Sequence, residues 1–160
     1  PILTRKGLAP KIIGRVYSAC VRSTMVYGSE TWPMKEEQEQ KLERVEMQMV
    51  RWMCGVKLAD GIKSEELRKK LGIEAVRVVL KKGRLRWWGH VERREDMHWL
   101  KKCMKFEVEG KKPVGRPRKT WSEVIRKDMK DWGLKEEMAL NRREWRKGLR
   151  RQNGHEPLGV

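Results

Sequence analysis

Apolar residues recur along this chain every three or four positions, and no segment shows convincing period-two alternation, so an all-α fold is expected. The stretch PKIIGRVYSACVRSTMVYG reads as a helix that opens at Pro10, a residue suited to a first turn, and closes at Gly28. Its apolar positions Ile13, Val16, Cys20 and Tyr27 fall at helical spacing, with Gly14 a weak point in the interior. A second helix begins at Pro33, with acids in its first turns where the helix dipole favours them, and ends at Gly55. Leu42, Val45, Met49 and Trp52 follow the 3-4-3 spacing of a narrow packing seam. Joined by the turn GSETWP, these two helices are expected to form an antiparallel pair packed along that seam.

Further on, KSEELRKKLG predicts a short helix with Ser64 as N-cap, acids in its first turn, Lys69 and Lys70 in its last and Gly72 as terminator. A longer helix follows in IEAVRVVLKKGRLRWWGHVERRE. Ile73, Val76, Leu80, Gly83, Trp87 and Val91 fall on one stripe, which makes Trp87 the more buried of the two adjacent tryptophans. Lys82, Arg86 and Arg93 fall together on another face, roughly 100–140° away. The stretch EGKKPVGRPRK, with two Gly, two Pro and five basic residues, reads as an extended connector. In TWSEVIRKDMKDWG, Thr120 and Glu123 predict a capping box, and Trp121, Val124, Ile125, Met129 and Trp132 one apolar face. A last Arg-rich helix over about 135–151 carries Met138, Trp145 and Leu149, and the tail beyond it reads as frayed. The expected organisation is a helical pair over 1–60, a small basic helical module over 61–108, a basic Gly/Pro linker over 109–119 and C-terminal helices over 120–160.

Charge changes the picture more than hydropathy does. Of the net +17, residues 1–60 contribute +3 (10 Lys/Arg against 7 Asp/Glu) and residues 61–160 contribute +14 (29 against 15). Such an excess implies an anionic partner, and nucleic acid is the first choice. No apolar run approaches the length needed to span a bilayer, so no membrane partner is expected. Three widely spaced cysteines, Cys20, Cys54 and Cys103, argue against a disulfide framework and for a reducing, intracellular compartment, and a nuclear location is expected. The opening PILTRKG lacks an initiator Met, so the chain is expected to be a piece of something longer.

Candidate chemistry is sparse. His90, His98 and Cys103 make the best metal cluster, but their spacing matches no common zinc pattern, so no metal and no cofactor are expected. Cys54 and Cys103 have no identifiable His-plus-acid arrangement for nucleophilic catalysis. Asp60, Asp96, Asp128 and Asp131 stand apart, whereas two-metal nucleotidyl transfer needs clustered carboxylates, so no catalytic residue is expected. The nucleic-acid signals are better. Lys82, Arg86 and Arg93 on the helix face, with Lys111, Lys112, Arg116, Arg118 and Lys119 in the connector, would neutralise phosphates. Trp52, Trp87, Trp121 and Trp132 sit on apolar stripes and read as core, leaving Trp88 and Trp99 as possible base-stacking residues. PVGRPRK resembles the AT-hook of chromatin proteins in Gly115, Arg116, Pro117 and Arg118, but has Val114 where the hook has an arginine. A basic tether holding phosphates is the preferred role for it.

YGSETW (27–32), RLRWWGHVERRED (84–96) and GRPRKTW (115–121), in that order and spacing, resemble the region after the reverse transcriptase domain in polyproteins of non-long-terminal-repeat retrotransposons. The resemblance covers nearly the whole chain. It implies that residues about 10–55 correspond to a helical thumb beside a polymerase palm, and that the rest binds the element's RNA or its target DNA. The family's polymerase aspartates and endonuclease lie upstream, so no catalytic residue carries over. The expected function is non-enzymatic binding of RNA or DNA, with the upstream palm as a second partner. The alternative is a protein-interaction module whose Trp-rich apolar faces dock on that palm.

Overall fold

A computed structural model describes residues 2–4, 7–106, 115 and 119–151, and every regular element among the described residues is helical. Internal contacts divide the chain into two units, one of residues 1–29 and 34–80, the other of residues 30–33 and 81–160. Among the described residues no helix is long and apolar enough to cross a membrane.

The first unit contains α1 (Pro10–Val16), a π-helical segment (Tyr17–Arg22), α2 (Ser23–Met25), α3 (Glu36–Cys54), α4 (Ser64–Leu71) and the first turn of α5 (Val76–Glu92). Ile13, Tyr17, Met47, Val50, Met53, Leu67, Leu71 and Ile73 form its main core. Gly14 has a packing role: a Cβ there would land on the backbone carbonyl of Leu71, so α1 lies against α4 more closely than any side chain would permit.

The apolar phase of the first helix differs from the sequence expectation. Cys20 is exposed and Tyr27 is 86% exposed, while burial steps from Ile13 to Tyr17 to Arg22. The second step is five residues, not four, because the π-helical segment carries the buried face one residue further. The seam of α3 is also displaced. Val45 and Trp52 are exposed, and the buried positions are Glu39, Glu46, Met47, Val50 and Met53. The cause is Glu46, fully buried, whose carboxylate takes a hydrogen bond from Arg22 at 2.6 Å and another from the Val76 backbone N–H at 2.9 Å. A seam drawn through apolar letters alone passes over a buried acid.

The second unit holds the rest of α5, then α6 (Trp99–Lys105), α7 (Trp121–Asp131) and α8 (Arg142–Arg151). Its core is Leu85, Trp88, Ile125, Met129, Ala139, Trp145 and Leu149. The predicted capping box is present: Glu123 N–H donates to Thr120 Oγ1 at 3.3 Å, and Thr120 N–H donates to Glu123 Oε2 at 3.0 Å. The apolar face of α7 is the expected one, with Val124, Ile125 and Met129 buried and Trp121 and Trp132 at its margins.

Trp88 reverses the expectation for RLRWWGHVERRED, and Arg84 joins it in the interior. Arg84 is 1% exposed, and its Nε–H donates to Asp128 Oδ2 at 2.7 Å. Trp88 is buried against Trp145, with ring centroids 5.3 Å apart, whereas Trp87 is half-buried. The stripe holds at Val76, Leu80 and Val91, but the intervening turns bury Leu85, Trp88 and Gly89 instead of Trp87. The side of α5 that is covered changes along its length, which a single stripe cannot represent. Trp88→Ala is therefore expected to cost about 3–5 kcal/mol and Trp87→Ala much less. Urea denaturation followed by circular dichroism checks the order, which a larger loss for Trp87→Ala would invert.

Candidate nucleic-acid interface

Asn141 sets where α8 begins, because its side-chain oxygen accepts the backbone N–H groups of Arg143 at 3.0 Å and Glu144 at 3.3 Å. From that start Trp145 and Leu149 turn into the core, and Arg142, Arg143, Arg146, Lys147 and Arg150 stay exposed. Arg142 and Arg146, one turn apart, act electrostatically on Arg93, which lies just past the end of α5. The Arg93 guanidinium donates to the Ala139 carbonyl at 2.7 Å, so it is anchored beside the entry to α8. Burial, then repulsion from Arg142 and Arg146, lowers its pKa from the ordinary arginine value.

Next to this group, Arg94 Nη2 lies 3.1 Å from His90 Nε2. A guanidinium can only donate, so Nε2 must hold a lone pair and the imidazole is neutral, with its proton on Nδ1. The His90 pKa is correspondingly lowered, first by partial burial and then by Arg94, Arg93, Arg142 and His98. Trp87 stacks on His90, with ring centroids 5.5 Å apart and an interplanar angle of 21°. A second such pair, His98 and Trp99, has centroids 5.9 Å apart at 29°. His98 caps α6, its Nδ1 accepting the Leu100 N–H at 3.3 Å, and Trp99 is 65% exposed. The fold thus gathers two tryptophan–histidine stacks and the arginines 93, 94, 142 and 146 around the end of α5 and the start of α8, a surface suited to phosphates and flat rings.

The residues expected from sequence are distributed differently. Arg86 is exposed, Lys82 is half-buried, and Arg93 is tied to Ala139, so the three do not form one uniformly solvated face. Lys119 is exposed just before α7, while Lys111, Lys112, Arg116 and Arg118 lie outside the described residues. Of the two tryptophans considered for stacking, Trp99 is exposed, but Trp88 is in the core and offers no face to a base. His90, Arg94, Arg142 and Arg146 were not singled out for binding. The available signal was the i, i+4 arginine pair opposite Trp145 and Leu149. Among the described residues no group of three or more His, Cys, Asp or Glu comes together to hold a metal ion, and Cys103 is exposed and free.

The first unit carries a separate cleft of about 880 Å³, lined by Arg44, Met47, Arg51, Trp52, Val56 and Leu58 among others. Trp52 and Leu58 are both exposed there.

The chain is 25% identical to an uncharacterized transposon-derived protein of Caenorhabditis elegans. The similarity covers 88% of this chain and 55% of that protein, so the chain spans about half of its relative's length. No protein-family model and no solved structure matches the chain.

Proposed function

We propose that this chain is a non-catalytic, nucleic-acid-binding piece of a retrotransposon reverse transcriptase, drawn from the thumb and the region after the polymerase domain. The observation that most directly supports binding is the convergence of Arg93, Arg94, Arg142 and Arg146 in a part of the chain with a large positive excess. The distant similarity to a transposon-derived protein supports the origin. The connector residues Lys111, Lys112, Arg116, Arg118 and Lys119 would add phosphate contacts, as would Arg86.

A non-catalytic role fits how the aspartates are used. Asp128 pairs with the buried Arg84, Asp131 with Lys81, Asp96 with Lys101, and Asp60 accepts the backbone N–H of Lys57. Each has a structural partner, and the two aspartates that approach each other, Asp128 and Asp131, share the Lys81 ammonium. A second reading, docking on a polymerase palm, is favoured by one observation: the cleft around the exposed Trp52 and Leu58.

Salt separates the two. Neutralising about 6–8 phosphates would make the logarithm of the binding constant fall with that of salt at a slope near −5 to −7 on duplex. The triple variant Arg94→Gln, Arg142→Gln, Arg146→Gln is expected to shallow that slope by about 2–3 and weaken all sequences alike. Fluorescence anisotropy titrations at several salt concentrations measure both quantities. A slope near zero would reject the phosphate-binding function and leave the apolar cleft as the better candidate surface.

A further inference from the structure

We propose that the stacked pairs Trp87–His90 and His98–Trp99 form a platform for unpaired bases, so that the second unit prefers single-stranded RNA or DNA over duplex. This rests on the phosphate-binding function above and adds the class of nucleic acid.

The geometry of the rings is the main support. Each tryptophan has one neighbour at stacking distance, an imidazole within 5.9 Å and 29° of parallel. A core explanation fails for Trp99, which is 65% exposed although it is the largest side chain type the chain could have buried. Met97 and Phe106, both 74% exposed, add apolar surface at the two ends of the same short helix. Trp99 stacks on His98, which acts electrostatically on His90 together with Arg93, Arg94 and Arg142, so an indole left in water and a group of arginines suit a ligand that supplies flat rings and phosphates together. Bases inside a duplex have both faces covered by their neighbours, so only an unpaired strand can use such a platform.

The charge arrangement agrees. His90 is neutral in the hydrogen bond from Arg94 and lies within electrostatic reach of Arg94, Arg93 and Arg142. A neutral imidazole can share its stack with a base without adding to that repulsion, while the arginines meet the phosphates on either side.

The test is a comparison of 20-nucleotide single-stranded RNA, single-stranded DNA and a hairpin duplex, each bound to the full chain at one salt concentration. Trp99→Ala, at an exposed position, is expected to weaken both single strands about ten-fold and the duplex less than two-fold, with partial rescue by Trp99→Phe. A loss confined to RNA or to DNA would identify which strand the platform serves. Equal losses on single strand and duplex, or none on either, would overturn the platform. The Arg94/Arg142/Arg146 variant distinguishes the two failures, because its affinity falls if phosphate binding is right even when Trp99→Ala has no effect. If Trp99→Ala changed only self-association in light scattering, the surface would be a protein contact and the platform would be rejected.

Discussion

Replacing Glu46 with alanine is expected to cost the first unit about 3–5 kcal/mol, a large share of the roughly 5–15 kcal/mol that keeps a small protein folded. Glu46 is fully buried, with Arg22 at 2.6 Å and Arg68 Nε at 3.8 Å. Its other oxygen takes the Val76 N–H at the start of α5. Truncation would leave the Arg22 guanidinium, itself 6% exposed, without its counter-charge, held by the Glu74 carbonyl at 2.7 Å and the Tyr17 ring, and would leave the Val76 N–H without an acceptor. Glu46→Gln keeps an acceptor for Val76 but not the charge opposite Arg22, so its loss should fall between those of wild type and Glu46→Ala. Removing both charges with Arg22→Leu and Glu46→Leu should cost less than the sum of the single changes, because neither then strands the other. Urea midpoints by circular dichroism of the parent, Glu46→Ala, Glu46→Gln, the two single leucine variants and their double provide these stabilities. A Glu46→Ala variant within about 1 kcal/mol of the parent would mean that water reaches this site and the network is not a core element.

The second large effect should come from adding a single methyl group. Gly89→Ala in the middle of a helix would ordinarily gain about 0.5–1 kcal/mol through the stiffer backbone. Here the sign should reverse, with a loss of about 3 kcal/mol, the upper end for overpacking. A Cβ at position 89 would press on the Trp145 indole nitrogen and come within 2.7 Å of Cδ1 and 3.0 Å of Cε2. The indole has nowhere easy to go: it is 1% exposed, donates to the Leu85 carbonyl at 3.0 Å and lies against Trp88. Because α8 is seated by Trp145, displacing the ring should also disturb Arg142 and Arg146, so nucleic-acid affinity should fall along with stability. Thermal melts and anisotropy titrations of Gly89→Ala measure the two together. A melting temperature at or above that of the parent would show that Trp145 is not held where this packing requires.

Local signals survived into the structure wherever a helix is specified by its own residues. The capping box at Thr120 and Glu123 and the left-handed Gly55, Gly72 and Gly133 at helix ends depend on neighbours in sequence. The apolar face of α7 is equally local, since Val124, Ile125 and Met129 need only helical periodicity and some partner to cover them. The absence of period-two alternation was enough to exclude a sheet-based fold. What the chain did not disclose by pattern was which charged residues are core residues. Arg22, Glu46, Arg84 and Asp128 are buried because each meets an opposite charge 24 or 44 residues away, and that complementarity has no periodic trace. Once those pairs are in place, the seam of α3 turns away from Val45 and Trp52, and Trp88 replaces Trp87 in the core. The candidate interface divides in the same way. Its positive charge is a property of composition, legible from the +14 of residues 61–160. Its location was decided only when Trp145 packed on Gly89 and Arg93 reached Ala139, because a surface made from two helices some fifty residues apart exists only after they pack.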